Sequence, residues 1–133
     1  MAGPPPAPGL IDTNVLIDLT RRRPAAMAFI APHMAARSPD ISAVSVMELI
    51  EGCRNGKELA DLQPFLAAFQ VHHLTPSISA AAIGHMQSFT LSHGLDTPDA
   101  LIAATALELG LPIYTLNTKH FQMIPGLTVL RPY

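Results

Sequence analysis

Two hydrophobic rhythms alternate along this chain. Short apolar runs at Leu10-Ile11, from Ile41, at Val71 to Leu74, Ile113 to Leu116 and Thr128 to Leu130 predict five strands. Between them, apolar residues recur at three- and four-residue intervals, the spacing that lines one face of a helix. Val15, Leu16 and Leu19 begin one such stretch just after Asp12, and Pro24 to Ala36 is a second with proline at its start. Ser42 is a fitting N-cap for a helix from Ala43 to about Arg54, which Asn55-Gly56 would end. Lys57 to Phe69 follows, then Ser77 to His93, with Ile78, Ala82, Met86 and Phe89 on one face and Gly94 as the cap. Thr97-Pro98-Asp99 opens a last helix running to about Leu109, with Gly110 behind it. Strands alternating with helices predict an α/β fold around a parallel sheet.

Composition narrows the classes. A length of 133 residues suits one domain. Residues 1–9, with four prolines and two glycines, predict an extended, flexible tail, which leaves residues 10–133 as the folded unit. Hydrophobic residues make up 49% and charged residues 14%, which excludes disorder for the bulk of the chain. Aromatics, at 5%, are too few for rows of base-stacking platforms. The net charge of −2 argues against a protein that coats nucleic acid generically, although Arg21-Arg22-Arg23 can steer a polyanion locally. A single cysteine, Cys53, excludes an internal disulfide and a cysteine-rich zinc site, and it reads as a small buried hydrophobe. No apolar run is long enough to span a bilayer, and the first residues lack the pattern of a secretion signal, so the expectation is a cytoplasmic protein with no membrane partner.

Candidate chemistry sits where the strands hand over to helices. In an open parallel sheet, ligands bind outside the carboxyl ends of the strands. Asp12 directly follows the first strand, Glu48 lies in the second turn of the helix after the second, and Asp99 lies in the first turn of the last helix. Each has an ordinary explanation: Asp12 as a helix cap, Asp99 as a charge complementing a helix dipole worth about 0.3–1 kcal/mol. Yet Ile102, Ala103 and Ala106 share the face of Asp99, and Val44, Ser45 and Gly52 share that of Glu48, so both acids should face inward without a cationic partner. Three converging carboxylates would repel, and a divalent cation is the simplest remedy. Ligands made of oxygen alone favour Mg²⁺ or Mn²⁺ over zinc, and such an ion activates water in phosphodiester cleavage.

At these residues the sequence resembles the PIN-domain family, and within it the VapC-type toxins of toxin–antitoxin pairs. The resemblance is carried by residues 10–18 (LIDTNVLID), 41–52 (ISAVSVMELIEG), 97–106 (TPDALIAATA) and 115–121 (TLNTKHF). It implies a three-layer α/β/α fold and a metal-dependent endoribonuclease, with Asp12, Glu48 and Asp99 as acidic ligands at matching positions. It also implies supporting roles for Thr13 and Asn14 beside the first acid and for Thr115, an antitoxin partner that occludes the groove, and a toxin homodimer. Asn117 departs from the pattern, since many relatives carry a fourth acid at or near this position. Asp96 is a secondary candidate for that place; its alternative is a solvated loop residue just before the helix cap.

The histidines make no paired ligand spacing, because adjacent His72 and His73 point to opposite sides of a strand. His93 fits a helix C-terminus, and His120 is expected to pack. Arg21 to Arg23 are expected at the far end of the first helix from the acids, as a solvated run. Two other classes compete with the nuclease. A non-catalytic interaction module of the same fold would use its acids only as caps, and chelator-sensitive RNA cleavage separates it from the enzyme. A receiver-like phosphoacceptor would want an acid pair after the first strand, where this chain has Asp12-Thr13-Asn14.

Overall fold

In the computed structural model, residues 3–133 are described. The expected tail has no regular structure over residues 3–9; its first two residues, Met1 and Ala2, lie outside the described part. Its end is held: the Tyr114 hydroxyl donates to the Ala7 carbonyl at 2.7 Å, and Gly9 is buried.

Five strands follow: β1 (Leu10–Ile11), β2 (Asp40–Ser42), β3 (Gln70–His72), β4 (Ile113–Tyr114) and β5 (Val129–Leu130). They form one parallel sheet in the order β3-β2-β1-β4-β5. Helices α1 (Thr13–Thr20) and α2 (Pro24–Ala36) connect β1 to β2, and α3 (Ala43–Glu51) and α4 (Gly56–Leu66) connect β2 to β3. Helices α5 (Pro76–His93) and α6 (Thr97–Leu109) carry the chain back across to β4, and a 3₁₀ turn (Thr118–His120) precedes β5.

Alternation along the central strands builds two cores. Leu10 and Ile113 point into one, shared with Ile78 and Ala82 of α5, Ile102, Ala103 and Ala106 of α6, and Phe121. Ile11 and Tyr114 point into the other, shared with Val15, Leu16 and Leu19 of α1, Ala26 and Ile30 of α2, Leu49 of α3 and Leu62 of α4. The direction of the chain across the sheet reverses after β3, which puts α5 and α6 on the face opposite α1–α4 and gives three layers. β1 and β4 are buried throughout because both of their faces are covered.

Boundaries moved where caps outweighed hydrophobic pattern. α3 stops at Glu51 with Gly52 as its C-cap, earlier than Arg54. Asn55, expected to end α3, instead starts α4: its side chain accepts from the Glu58 amide at 2.9 Å. α4 ends at Leu66 rather than Phe69. β3 begins at Gln70 and is over before Leu74, because its register on β2 (Asp40 to Gln70, Ser42 to His72) leaves nothing opposite Leu74. β4 ends at Tyr114, two residues short of the expected Leu116.

Candidate active site

The strand order changes direction between β1 and β4, so the crevice for a ligand opens at the carboxyl ends of these two strands. Ile11 pairs with Tyr114, which sets the next residues, Asp12 and Thr115, side by side at the mouth of the crevice. The Thr115 hydroxyl donates to Asp12 Oδ2 at 2.7 Å, and the Thr13 amide donates to Asp12 Oδ1 at 2.8 Å as the carboxylate caps α1. Thr115 Oγ1 also accepts from the Asn117 amide at 3.0 Å and from Asn14 Nδ2 at 3.3 Å, and Asn14 Oδ1 accepts from the Leu116 amide. One buried hydroxyl thus ties α1, β4 and the loop beyond it to the orientation of Asp12.

Glu48 arrives from the other side of Asp12, on α3. Thr13 Oγ1 donates to Glu48 Oε1 at 2.7 Å and stands 2.8 Å from Ser45 Oγ. Because the threonine has one proton and gives it to the carboxylate, Ser45 is the donor in the second contact. Ser45, fully buried, therefore holds the threonine that holds Glu48. The sequence marked Ser45 only as a small neighbour of Glu48; a hydroxyl one helical turn before an inward acid is the signal that could have found it.

Asp99 comes from the first turn of α6. Asp96, weighed as a loop residue before the cap, is the cap itself: its Oδ1 accepts from the Asp99 amide at 3.0 Å. Asp99 Oδ2 lies 3.2 Å from His120 Nδ1. The expectation that His120 packs is corrected, for its side chain is 58% exposed and turned to Asp99, while the adjacent Phe121 takes the buried place. Asn117 contributes its backbone amide; its side chain makes no hydrogen bond among the described residues.

Two of the acids, Asp12 and Asp99, are pushed toward their protonated forms. Burial pushes the Asp12 carboxyl above its usual range, as does the nearby Glu48 charge; bonds from Thr115 and the Thr13 amide and the proximity of His120 work against this. Asp99 is pushed up to about 6, chiefly by burial and then by the charges of Asp96 and Asp12, with His120 opposing. Among the described residues, no group of three or more His, Cys, Asp or Glu is placed to hold a metal ion.

A groove of about 950 Å³ runs from Glu48 between the ends of α1, α3 and α4. Arg21, Arg22, Arg54 and Cys53 line it with Glu48, whereas Asp12 and Asp99 do not; Arg21 to Arg23 are exposed at the C-terminal end of α1, opposite its Asp12 cap, as expected. The eight residues of α1 put about 12 Å of helix between Asp12 and this run. Cys53 is half-buried and packs against the second core. Of the other histidines, His72 Nε2 bonds Asp40 Oδ1 at 2.8 Å.

A PIN-domain family model matches residues 9–126. The chain belongs to the PIN-domain family. Among similar proteins, ribonuclease VapC19 of Mycobacterium tuberculosis is 35% identical over 121 residues, covering 89% of this chain and 95% of that protein. Ribonuclease VapC10 of the same organism is 36% identical over 119 residues, 89% of each. A solved toxin–antitoxin complex from Klebsiella pneumoniae contains a chain with a TM-score of 0.75 and 32% identity, covering 94% of this PIN domain and 98% of that chain. DNA-bound VapBC from Salmonella typhimurium shares the fold at a TM-score of 0.79 and 21% identity, over 96% of this chain and 100% of that one. The three-layer architecture expected from the sequence is thus that of VapC structures.

Proposed function

We propose that this PIN domain is a VapC-type endoribonuclease, the toxin of a toxin–antitoxin pair, which hydrolyses RNA phosphodiesters with Mg²⁺ or Mn²⁺ and is restrained by a cognate antitoxin protein. One observation supports the reading: Thr13 binds Asp12 through its amide and Glu48 through its hydroxyl at the switch point of the sheet, Asp99 stands near enough for the Asp12 charge to act on it, and none of the three forms a salt bridge with lysine or arginine among the described residues. The relatives named ribonucleases, and neighbours solved as toxin–antitoxin complexes, support it.

The donor set fits a hard divalent cation. Asp12 and Asp99, whose carboxyls burial and neighbouring charge push above their usual range, offer the oxygen donors that such an ion prefers. Asp12, Glu48 and Asp99 would hold the ion, with Asp96 at the edge. When bound, such an ion makes water nucleophilic at neutral pH and shields the phosphate oxygens. The chain's own residues do the positioning. Thr115 and the Thr13 amide fix both oxygens of Asp12, and the Ser45–Thr13 relay fixes Glu48. Asn14 and the backbone of Asn117 brace Thr115. Arg21 and Arg22 line the groove through which a polyanion would reach Glu48.

The test is cleavage of RNA by the purified chain with added Mg²⁺ or Mn²⁺. EDTA is expected to abolish cleavage, the added ions to restore it, and Asp12→Asn to lose at least about a hundredfold in rate. Chelator-insensitive activity, or full activity of Asp12→Asn, would overturn the assignment; absence of cleavage in every ion would leave the non-catalytic module as the better reading. The proposal extends to a homodimer in the cytoplasm, checked by light scattering and by cell fractionation.

A further inference from the structure

We propose that Lys119 and Arg131 form a phosphate-binding subsite for RNA, across Asp12 from the groove that holds Arg21 and Arg22, so that a single strand is gripped on both sides of the acids. The inference deepens the nuclease reading above and rests on it.

The positive charge of this chain is sorted. Of its eight lysines and arginines, Arg23, Arg37, Arg54 and Lys57 each form a salt bridge with a carboxylate side chain, that of Asp18, Asp40, Glu58 and Asp61 respectively. Arg21, Arg22, Lys119 and Arg131 form none among the described residues, and all four are exposed. Cations kept only for solubility would be scattered, whereas these fall in two pairs flanking the acids. All strands of a parallel sheet end on one edge, and here that edge runs β3-β2-β1-β4-β5. Glu48 comes from the helix after β2, Asp12 follows β1, Lys119 belongs to the turn after β4, and Arg131 directly follows β5. Arg21 and Arg22 share their groove with Glu48. The order along the crevice is therefore arginines, acids, then Lys119 and Arg131.

Arg131 is fixed before any ligand arrives. Its Nη1 donates to the Leu116 carbonyl at 2.9 Å and its Nε to the main-chain oxygen of Tyr133 at 3.1 Å. Leu116 follows Thr115, whose hydroxyl orients Asp12, and its amide donates to Asn14. The guanidinium is thus tied to the same backbone that positions the first acid. Nη2 has no acceptor among the described residues, and with the second hydrogen of Nη1 it presents the fork that pairs with two phosphate oxygens. Asp18, which accepts from the Tyr133 hydroxyl at 2.8 Å, is already paired with Arg23 and does not compete. Lys119 adds a mobile point charge beside this rigid fork. Such a pair suits the RNA backbone rather than a base, because a phosphate asks for charge and carries no sequence to read.

The experiment uses the full chain and a short fluorescein-labelled oligouridylate, with binding read by anisotropy over a salt series in EDTA. Lys119→Gln and Arg131→Gln are each expected to weaken binding about threefold or more. Each should also lower the slope of log affinity against log salt by about 0.7, the value of one single-strand phosphate contact, and the double variant by about twice that. Arg131→Lys keeps the charge and should keep the slope, which a purely structural clamp would not require. Lys57→Gln changes net charge equally but removes a cation already paired with Asp61, so it should bind almost as wild type does. Circular dichroism checks each fold, and if Arg131→Gln does not fold, Lys119→Gln and Arg131→Lys decide. Unchanged slopes in Lys119→Gln and Arg131→Gln, an equal loss in Lys57→Gln, or no binding by the wild-type chain overturns the subsite, whatever metal-dependent cleavage shows. RNA bound with the expected slopes, yet left uncleaved with Mg²⁺ and with Mn²⁺, overturns the nuclease reading instead.

Discussion

Thr115 concentrates several constraints in one hydroxyl. It is fully buried, donates to Asp12 and accepts from Asn14 and from the Asn117 amide. Thr115→Val keeps the shape and strands those groups, so thermal unfolding should show a loss of about 1–3 kcal/mol, with a drop in RNA cleavage alongside. Asp99 makes a separate prediction about pH. Its carboxyl, at about 6 in the folded chain against 3.8 without the fold, keeps its proton in the native state while the unfolded chain has lost it. Stability therefore falls as pH rises between these values and levels off above about 6. In metal-free buffer, Asp99→Asn removes this penalty: its melting temperature relative to wild type should climb from pH 4 to pH 6. A difference that does not vary with pH would show that Asp99 is not held up by burial and by the charges of Asp96 and Asp12.

Among the elements, the ends matter more than the middles. α1 terminates on Arg21, and the next residue, Arg22, takes a left-handed conformation at φ 53°, the only residue other than glycine to do so among those described. Glycine is the residue that suits this place, so Arg22→Gly should stabilise the fold by up to about 1 kcal/mol. Arg22 stands at the rim of the groove that includes Glu48. The same substitution should weaken RNA binding and flatten its dependence on salt by roughly one phosphate contact. An unchanged salt slope would remove Arg22 from the RNA path. Helix ends also explain what the chain did not disclose. Asn55 carries both stop and start signals, and only the competition between Gly52 as a cap for α3 and Asn55 as a cap for α4 settled which it obeyed.

At the scale of the molecule, the proline-rich start is joined to the sheet. A Cβ on Gly9 would stand 2.6 Å from the Tyr114 ring, whose hydroxyl holds Ala7. Gly9→Ala should therefore cost about 1–3 kcal/mol of stability through overpacking, whereas Gly3→Ala, which meets nothing, should cost little. Equal melting temperatures for the two variants would mean that the start of the chain does not press on β4.

The sequence alone determined the alternation of strand and helix, the parallel sheet, and three candidate acids, one after β1 and two in the early turns of helices. Those features are written locally, in hydrophobic period and in the placing of charge against an apolar face. It also offered Thr13, Asn14 and Thr115 as supports through family resemblance. What it could not hold was the relation between distant segments. The neighbouring positions of Asp12 and Thr115 follow from β1 pairing with β4, about a hundred residues apart, and the Ser45–Thr13–Glu48 relay follows from α1 packing on α3. For the same reason His120 read as a packing residue. A side chain's neighbours are set by which elements share a layer and by the turn that aims it, and only the tertiary structure decides those.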